Sequence, residues 1–450
     1  MSLPERLAEA VVPESVLRVA QRLTERGHRA FLVGGCVRDI LRGIAPKDWD
    51  VATSARPEEV QRAFDKVIPT GIQHGTVTVL SRGTQVEVTT FRTEGAYVDG
   101  RRPSTVEFRT EVDDDLSRRD FTINAMAFDP VNKLLVDPFG GQRDLEAKLI
   151  RCVGDPLARF AEDGLRALRA VRFSCVLGFE VEPPTLAAIG STLSTFKKIS
   201  QERIREEFQK LLLSPRPAEG LALLQHSGLL QSFLPEVSEL VGFPADAAVD
   251  LFSLAKNAVA LSPPSLELRL AALVREVAAP RAEAPELGCS PAHARLGAAR
   301  ARIALTRMKF PTKTIEKVSL LVREHALATG ASLTDGELRR LVARVSPGNV
   351  DDLFALLEAQ RRAAGDAPGL TELGVLKDRV ANLLAAKPPL DPKGLALHGA
   401  DIMGVLGAGP GPIVGDATRF LMDLVLETPE VNTTAALSDA LRKWAKTRGV

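Results

Sequence analysis

Two hydrophobic rhythms divide the chain. Between residues 30 and 150, apolar side chains come in short runs and strict alternations closed by turn residues: AFLVGG from Ala30, WDVAT from Trp49, GTVTVL from Gly75, TQVEVTTF from Thr84, and the pair AMAFDP and KLLVDPF. A period of two predicts strands. From about residue 156 onward the rhythm becomes helical, as in RIREEFQKLLL, PAEGLALLQHSGLL, LRLAALVREVA, KTIEKVSLLVREHAL and VDDLFALLEAQRRAA, each with an apolar stripe. Pro and Gly punctuate these helices at SPRPAEG, KPPLDP and GAGPGP. The predicted fold class is α+β, a small mixed α/β head followed by an elongated all-α neck, body and tail. The predicted boundaries are 1–150 for the head with its N-terminal helix, 151–215, 216–365 and 366–450. No fixed-period repeat is present, so a solenoid is not expected.

Composition narrows the function classes. The chain has 450 residues and is 45% hydrophobic, enough for several packed domains. Its 58 basic and 57 acidic residues leave a net charge of +1, which excludes a polycation held to nucleic acid by bulk charge. Aromatics make up only 5%, which argues against a base-stacking platform. Cys36, Cys152, Cys175 and Cys289 form no Cys-x-x-Cys, so neither a disulfide framework nor a zinc ribbon is expected. No long apolar run and no signal-peptide pattern occur, so the expectation is a cytoplasmic protein without membrane contact.

Candidate chemistry is densest between residues 31 and 53. A strand runs into Gly34-Gly35 and then a helix, an arrangement that lets an anion approach backbone N–H groups at a helix N-terminus. Arg38 lies one turn on. A plain tight turn explains the glycines equally well. Asp48 and Asp50 fall two apart on a predicted strand, which puts both carboxylates on one face. Two hard oxygen donors at a strand end suit Mg²⁺, and Glu87, out of phase with Val86 and Val88, is a candidate third carboxylate. Taken alone, Asp-x-Asp is more often a pair of solvated acids. The segment 161–172 reads as one helix with Asp163, Arg166 and Arg169 on one face and Leu165 and Leu168 opposite; in isolation, Asp-x-x-Arg is usually a solvated ion pair.

These motifs occur together and in order. Leu32-Val33-Gly34-Gly35-x-x-Arg38-Asp39 with Asp48-x-Asp50 resembles the opening motif of the class II (bacterial) tRNA nucleotidyltransferases and their poly(A) polymerase relatives. Gly71-Ile-Gln-His74-Gly75-Thr76-Val77 follows, then Glu87-Val-Thr-Thr-Phe-Arg92 and Arg101-Arg102-Pro103. Arg118-Arg119-Asp120-Phe121-Thr122-Ile123-Asn124-Ala125 is similar to the family's second motif. Asp137-Pro-Phe-Gly140-Gly141 resembles the third, Glu162-Asp163-x-x-Arg166 the fourth, and Glu202-Arg203-Ile-x-x-Glu206 the fifth. The likeness is continuous over roughly 30–215.

The resemblance implies a head that transfers nucleotides, a neck at 151–215 that selects them, and a tail at 366–450 that holds the elbow of tRNA. It implies that Asp48, Asp50 and Glu87 are catalytic and that Asp48 and Asp50 hold Mg²⁺. Gly35, Arg38 and Arg119 would hold sugar or triphosphate, with Arg169 and Arg172 adding triphosphate or framework contacts. Asp163 and Arg166 would read the base. Cytosine and adenine share an amine donor beside a ring-nitrogen acceptor, which a carboxylate and a guanidinium match; uracil and guanine would leave those groups unpaired. CTP and ATP are thus the expected substrates and the tRNA 3′ end the acceptor. The loop between Thr90 and Pro103, full length here, favours complete CCA or A addition.

Within the body, Arg275-Glu276 stands where some relatives carry the His-Asp of a phosphohydrolase, Gln360 stands where its last Asp is expected, and His293 and His325 are expected to lack suitable neighbours. Metal-dependent phosphatase activity is therefore not expected. The alternatives are A-only addition or poly(A) polymerase activity, and, from another class, a silent RNA-binding paralogue.

Overall fold

The computed structural model describes residues 3–94, 106–244, 249–281, 290–326 and 333–448. These form two compact units, Met1–Pro235 and Glu236–Val450.

The first unit is built on a seven-stranded mixed sheet. Its strands are β1 (Ala30–Val33), β2 (Asp50–Thr53), β3 (Val67–Gly71), β4 (Thr76–Ser81) and β5 (Thr84–Thr90), followed, after a separate hairpin of β6 (Arg92–Glu94) with β7 (Val106–Phe108), by β8 (Ala127–Asp129) and β9 (Leu134–Val136). The order across the sheet is β3-β4-β5-β2-β1-β8-β9. Only β2 and β5 run parallel; every other pair is antiparallel. Alternation sorts the core. Leu32, Val51, Val77, Val79, Val86, Val88 and Phe128 face one side and pack on Val16, Val19, Ala20 and Leu23 of the helix Glu14–Glu25. Phe31, Val33, Ala52 and Ala127 face the other side, against Phe91, Val112 and Leu116. Two buried faces explain why β1 is apolar throughout.

Two sequence expectations change here. β2 begins at Asp50, and Asp48 sits on an exposed bend just before it. The pair therefore does not share a strand face; Asp48 approaches from the strand's entry loop. The expected helix over 161–172 is two helices, Pro156–Glu162 and Leu165–Leu177. Asp163 is extended at the joint, with φ −140° and ψ 105°. The glycine beside it has a steric reason. A Cβ at Gly164 would lie 2.7 Å from the backbone N and Cα of Phe196, so the chain passes another backbone too closely for a side chain.

After the joint, Leu165–Leu177 is buried on nearly every side and packs on the helices Gln201–Leu212 and Pro217–His226. The contact with the latter is again made by a glycine, Gly220, against Cys175.

The second unit's described helices and strandless links enclose their own cores. One holds Leu395, Leu397, Ile402, Leu421, Val425, Leu437 and Leu441. No described helix is long and apolar enough to cross a membrane. The body histidines His293 and His325 each have a hydrogen-bonding neighbour, but neither belongs to a metal-holding cluster among the described residues. His293 Nε2 lies 3.2 Å from Glu276 Oε2, and His325 Nδ1 lies 2.6 Å from the Val322 carbonyl oxygen. The first contact is made by separate elements packing together, the second within the last turn of one helix.

Candidate active site

A cleft of ≈ 570 Å³ opens in the first unit, and Gly35, Arg38, Asp50, Glu87, Arg119, Asp163, Arg166, Arg169 and Arg172 all line it. Asp48 is the one predicted site residue outside that lining.

The acidic wall comes from the parallel pair at the sheet centre. Asp50 lies directly across from Glu87 in the register of β2 and β5. Burial pushes the Asp50 carboxyl above the ordinary range; the Arg119 charge pulls it back and the Asp48 charge pushes it further up. Glu87 is raised in the same way, by burial and by the charge of Asp50. Neither Asp48 nor Asp50 makes a side-chain hydrogen bond or ion pair with a described residue. No group of three His, Cys, Asp or Glu side chains converges into a metal cage among the described residues. Asp50 and Glu87, side by side in the register and both with raised proton affinity, nevertheless offer hard oxygen donors that fit a divalent cation keeping several waters, so the donor set suits such an ion.

The glycine turn adjoins this wall. Gly34 has φ +75°, and a Cβ there would lie 2.8 Å from Arg119 Nη1. Only glycine allows that conformation and that close approach together. Arg38 follows in the helix Gly35–Leu41; its Nη1 donates to Asn124 Oδ1 at 2.7 Å and its Nε to Asp39 at 2.9 Å. Arg119 is held by Asp115, which also takes Arg118 and is fully buried. Burial pushes the Asp115 carboxyl up, and the two guanidinium charges outweigh it and hold it below its usual range. The Nε of Arg119 is buried without a hydrogen-bond partner among the described residues.

The basic wall comes from the helix joint and Leu165–Leu177. Arg203, from Gln201–Leu212, holds Asp163 at 3.2 and 2.7 Å. Asp163 also accepts from the Leu165 N–H at 3.0 Å, so it starts the second helix. Arg166 donates to Glu162 at 2.5 Å and to the Arg118 carbonyl at 3.0 Å. Arg169 pairs with Asp120 at 2.7 Å; burial pushes the Asp120 carboxyl up, but the Arg169 charge and hydrogen bond prevail and hold it at about 2. Arg172 pairs with Glu207 and stacks on Phe173 with 3.8 Å to the ring centroid.

Sequence reasoning missed these supporting partners: Asp115, Asp120, Asn124, Arg203 and Glu207. Asp120, Asn124 and Arg203 fall inside quoted motifs, which was the available signal. Asp115 and Glu207 look like ordinary members of acidic helix faces. His74 and the loop 95–105, including Arg101-Arg102-Pro103, lie outside the described side chains.

Comparison with known proteins agrees with this geometry. Residues 30–151 match the family model described as the poly A polymerase head domain, and 178–240 match the one described as a probable RNA- and SrmB-binding site of polymerase A. The CCA-adding enzyme of Geobacillus kaustophilus is 37% identical over 430 residues, 93% of this chain and 94% of that one. The chain belongs to the CCA-adding enzymes. A second member, from Limosilactobacillus fermentum, is 48% identical over a shorter stretch of 206 residues, 46% of this chain and about half, 51%, of that relative. The crystal structure of the Bacillus stearothermophilus CCA-adding enzyme in complex with CTP superposes with a TM-score of 0.72 at 30% identity, covering 98% of this chain and 99% of that one. The protein is therefore a nucleotidyltransferase, of a family that is generally metal-dependent, with the mixed-sheet head and helical remainder of that family.

Proposed function

We propose that the chain is a template-independent, cytoplasmic tRNA nucleotidyltransferase that adds C, C and A to tRNA 3′ ends from CTP and ATP, releasing pyrophosphate. The observation that carries this reading is the one cleft in which an acidic pair at the sheet centre faces a helix carrying Arg166, Arg169 and Arg172, with Asp163 at its start.

In this reading Asp50, with Asp48 at the strand entry and Glu87 across the register, forms the acidic wall that receives Mg²⁺. Bound there, the ion supplies charge neutralisation at the leaving pyrophosphate and lowers the pKa of the RNA 3′-hydroxyl. The protein's own groups do the positioning. Gly34 and Gly35 let phosphate oxygens reach the start of the helix Gly35–Leu41, while Arg38 and Arg119 donate to triphosphate or sugar. Asp163 accepts from the exocyclic amine of the base and Arg166 donates to its ring nitrogen. Both groups are held by Arg203 and Glu162. A base that offers a carbonyl to Asp163 leaves polar groups unpaired, at a cost of about 1–3 kcal/mol each. The partner on this reading is tRNA, through its 3′ end and elbow; the neck, body and tail at 151–215, 216–365 and 366–450 are its proposed scaffold.

Purified protein is to be given CTP alone, ATP alone or both, with tRNA ending before CCA, tRNA ending after CC, and an unstructured RNA. The expected products are two C from CTP on the first, one A from ATP on the second, and no tail on the third. Long A tails on the unstructured RNA, or A addition without C addition, would replace the reading with a poly(A) polymerase or an A-only enzyme. No incorporation with RNA binding intact would leave the silent paralogue.

A further inference from the structure

Three guanidinium groups gather on one aromatic ring in this cleft. The Cζ atoms of Arg172, Arg169 and Arg38 lie 3.8, 5.3 and 5.5 Å from the ring centroid of Phe173. Arg38 comes from the helix Gly35–Leu41, and the other two come from Leu165–Leu177. The ring thus joins the glycine-turn wall to the basic wall. The fully buried Phe121 fixes it by an edge-on contact at 5.7 Å and 79°.

Charge alone does not explain the gathering. Three like charges around one side chain repel one another, and each has been given a carboxylate elsewhere: Asp39 for Arg38, Asp120 for Arg169 and Glu207 for Arg172. Those carboxylates consume N–H donors. A ring face attracts a guanidinium through its quadrupole and takes no N–H in return. It therefore lowers the electrostatic cost of crowding the cations while leaving donor edges available for a ligand. Arg38, Arg172 and Phe173 are each 9% exposed or less, so water does not compete strongly for the same faces.

We propose that Phe173 is a positioning residue that assembles Arg38, Arg169 and Arg172 into one polyphosphate-binding surface. It acts through the three arginines. Its contribution is the same for every nucleotide, because it bears on the phosphate chain and is separate from the choice of base. The proposal deepens the nucleotide-adding reading and rests on it only for identifying the anion as a triphosphate.

The test uses the full chain and inorganic tripolyphosphate, measured by calorimetry with a chelator present so that the carboxylate edge takes no part. Position 173 is to carry phenylalanine, then its mono-, tri- and pentafluorinated analogues, and Phe173→Leu. Fluorination keeps the ring's shape closely while draining and finally inverting the quadrupole. The expected result is a stepwise loss of tripolyphosphate affinity, reaching about tenfold or more for the pentafluoro ring, with thermal unfolding little changed. In the nucleotide assay, KM for CTP and for ATP should rise together while kcat changes less. Equal affinity across the fluorinated series would overturn the proposal, as would a KM effect confined to one nucleotide. The series keeps the test decisive if Phe173→Leu folds poorly. A ring-dependent tripolyphosphate affinity in a protein that adds nothing to tRNA would uphold this inference and refute the proposed function.

Discussion

Arg203 grips both oxygens of Asp163, at 3.2 and 2.7 Å, from a helix that begins 38 residues further along the chain. A bidentate pair fixes the plane of the carboxylate as well as its position. Arg203→Met should free Asp163 to rotate, lowering CMP incorporation by roughly tenfold and eroding discrimination against UTP. Single-turnover assays with CTP and UTP measure both effects. Unchanged discrimination would remove Arg203 from the selecting apparatus.

The raised carboxyl of Asp50 makes a paired prediction about activity and stability. Its folded-state pKa lies above the unfolded one, so the charged form is disfavoured in the fold. The stability associated with that shift is present below the unfolded value of about 4 and is lost as pH rises through the folded value. At neutral pH, Asp50→Asn should therefore abolish incorporation, retain tRNA binding and raise the melting temperature by a few degrees. At pH 3 the stability gain should vanish. Added Mg²⁺ should raise the melting temperature of the native protein more than that of the variant.

Gly34→Ala places a Cβ 2.8 Å from Arg119 Nη1 on a residue with φ +75°. Both the backbone strain and the displaced guanidinium act at the mouth of the cleft, and the strain alone costs about 1–2 kcal/mol. Weaker binding of CTP and ATP alike is expected by calorimetry. A variant that binds both normally would show that the close approach is not needed.

Three thiols should be silent. Burial pushes Cys36 up to about 11, and Cys152 and Cys175 up to about 12. The reactive thiolate is then almost absent at neutral pH. Mass-spectrometric mapping after iodoacetamide treatment of the native protein should find these three unlabelled, with labelling appearing only on unfolding.

The body carries an acid-sensitive cluster. Burial pushes His325 down to about 4, aided by the Arg275 charge. Burial pushes Glu276 up, but Arg275 and the His293 hydrogen bond prevail and hold it at about 2. Arg275 lies 2.6 Å from Glu276 Oε1 in an ion pair whose angle does not suit a hydrogen bond. The folded state favours neutral His325, so that contribution is present above pH 6.5 and is lost as pH falls toward 4; the Glu276 contribution is lost between about 4.5 and 2. His325→Leu should flatten the urea-unfolding midpoint between pH 6.5 and 4, where the native protein loses on the order of 3 kcal/mol. An equally steep profile in the variant would assign the acid sensitivity to other groups.

What could be read from the sequence was what neighbouring residues determine. Gly34, Gly35 and Arg38 are a strand-to-helix turn whose parts adjoin, and Asp50 and Glu87 follow from a period of two in strands that pair. What escaped depends on distant chain. Gly164 reads as one weak helix residue until the backbone of Phe196 passes beside it. Glu207 looks like a solvated acid until Arg172, 35 residues earlier, turns inward to meet it. His293 and Glu276 are 17 residues apart and meet only because helices pack. Alternation puts Asp48 on the strand with Asp50, because it does not reveal where pairing begins.

The joint at Gly164 ties the choice of letter to the handling of the phosphate chain. One residue inserted just after it would turn Arg166, Arg169 and Arg172 together by about 100°, away from the Arg118 carbonyl, Asp120 and Glu207 that hold them. A change of register there is therefore felt by base recognition, by the anion surface and by the core at once, and the product's alphabet is locked to the machinery that joins its letters.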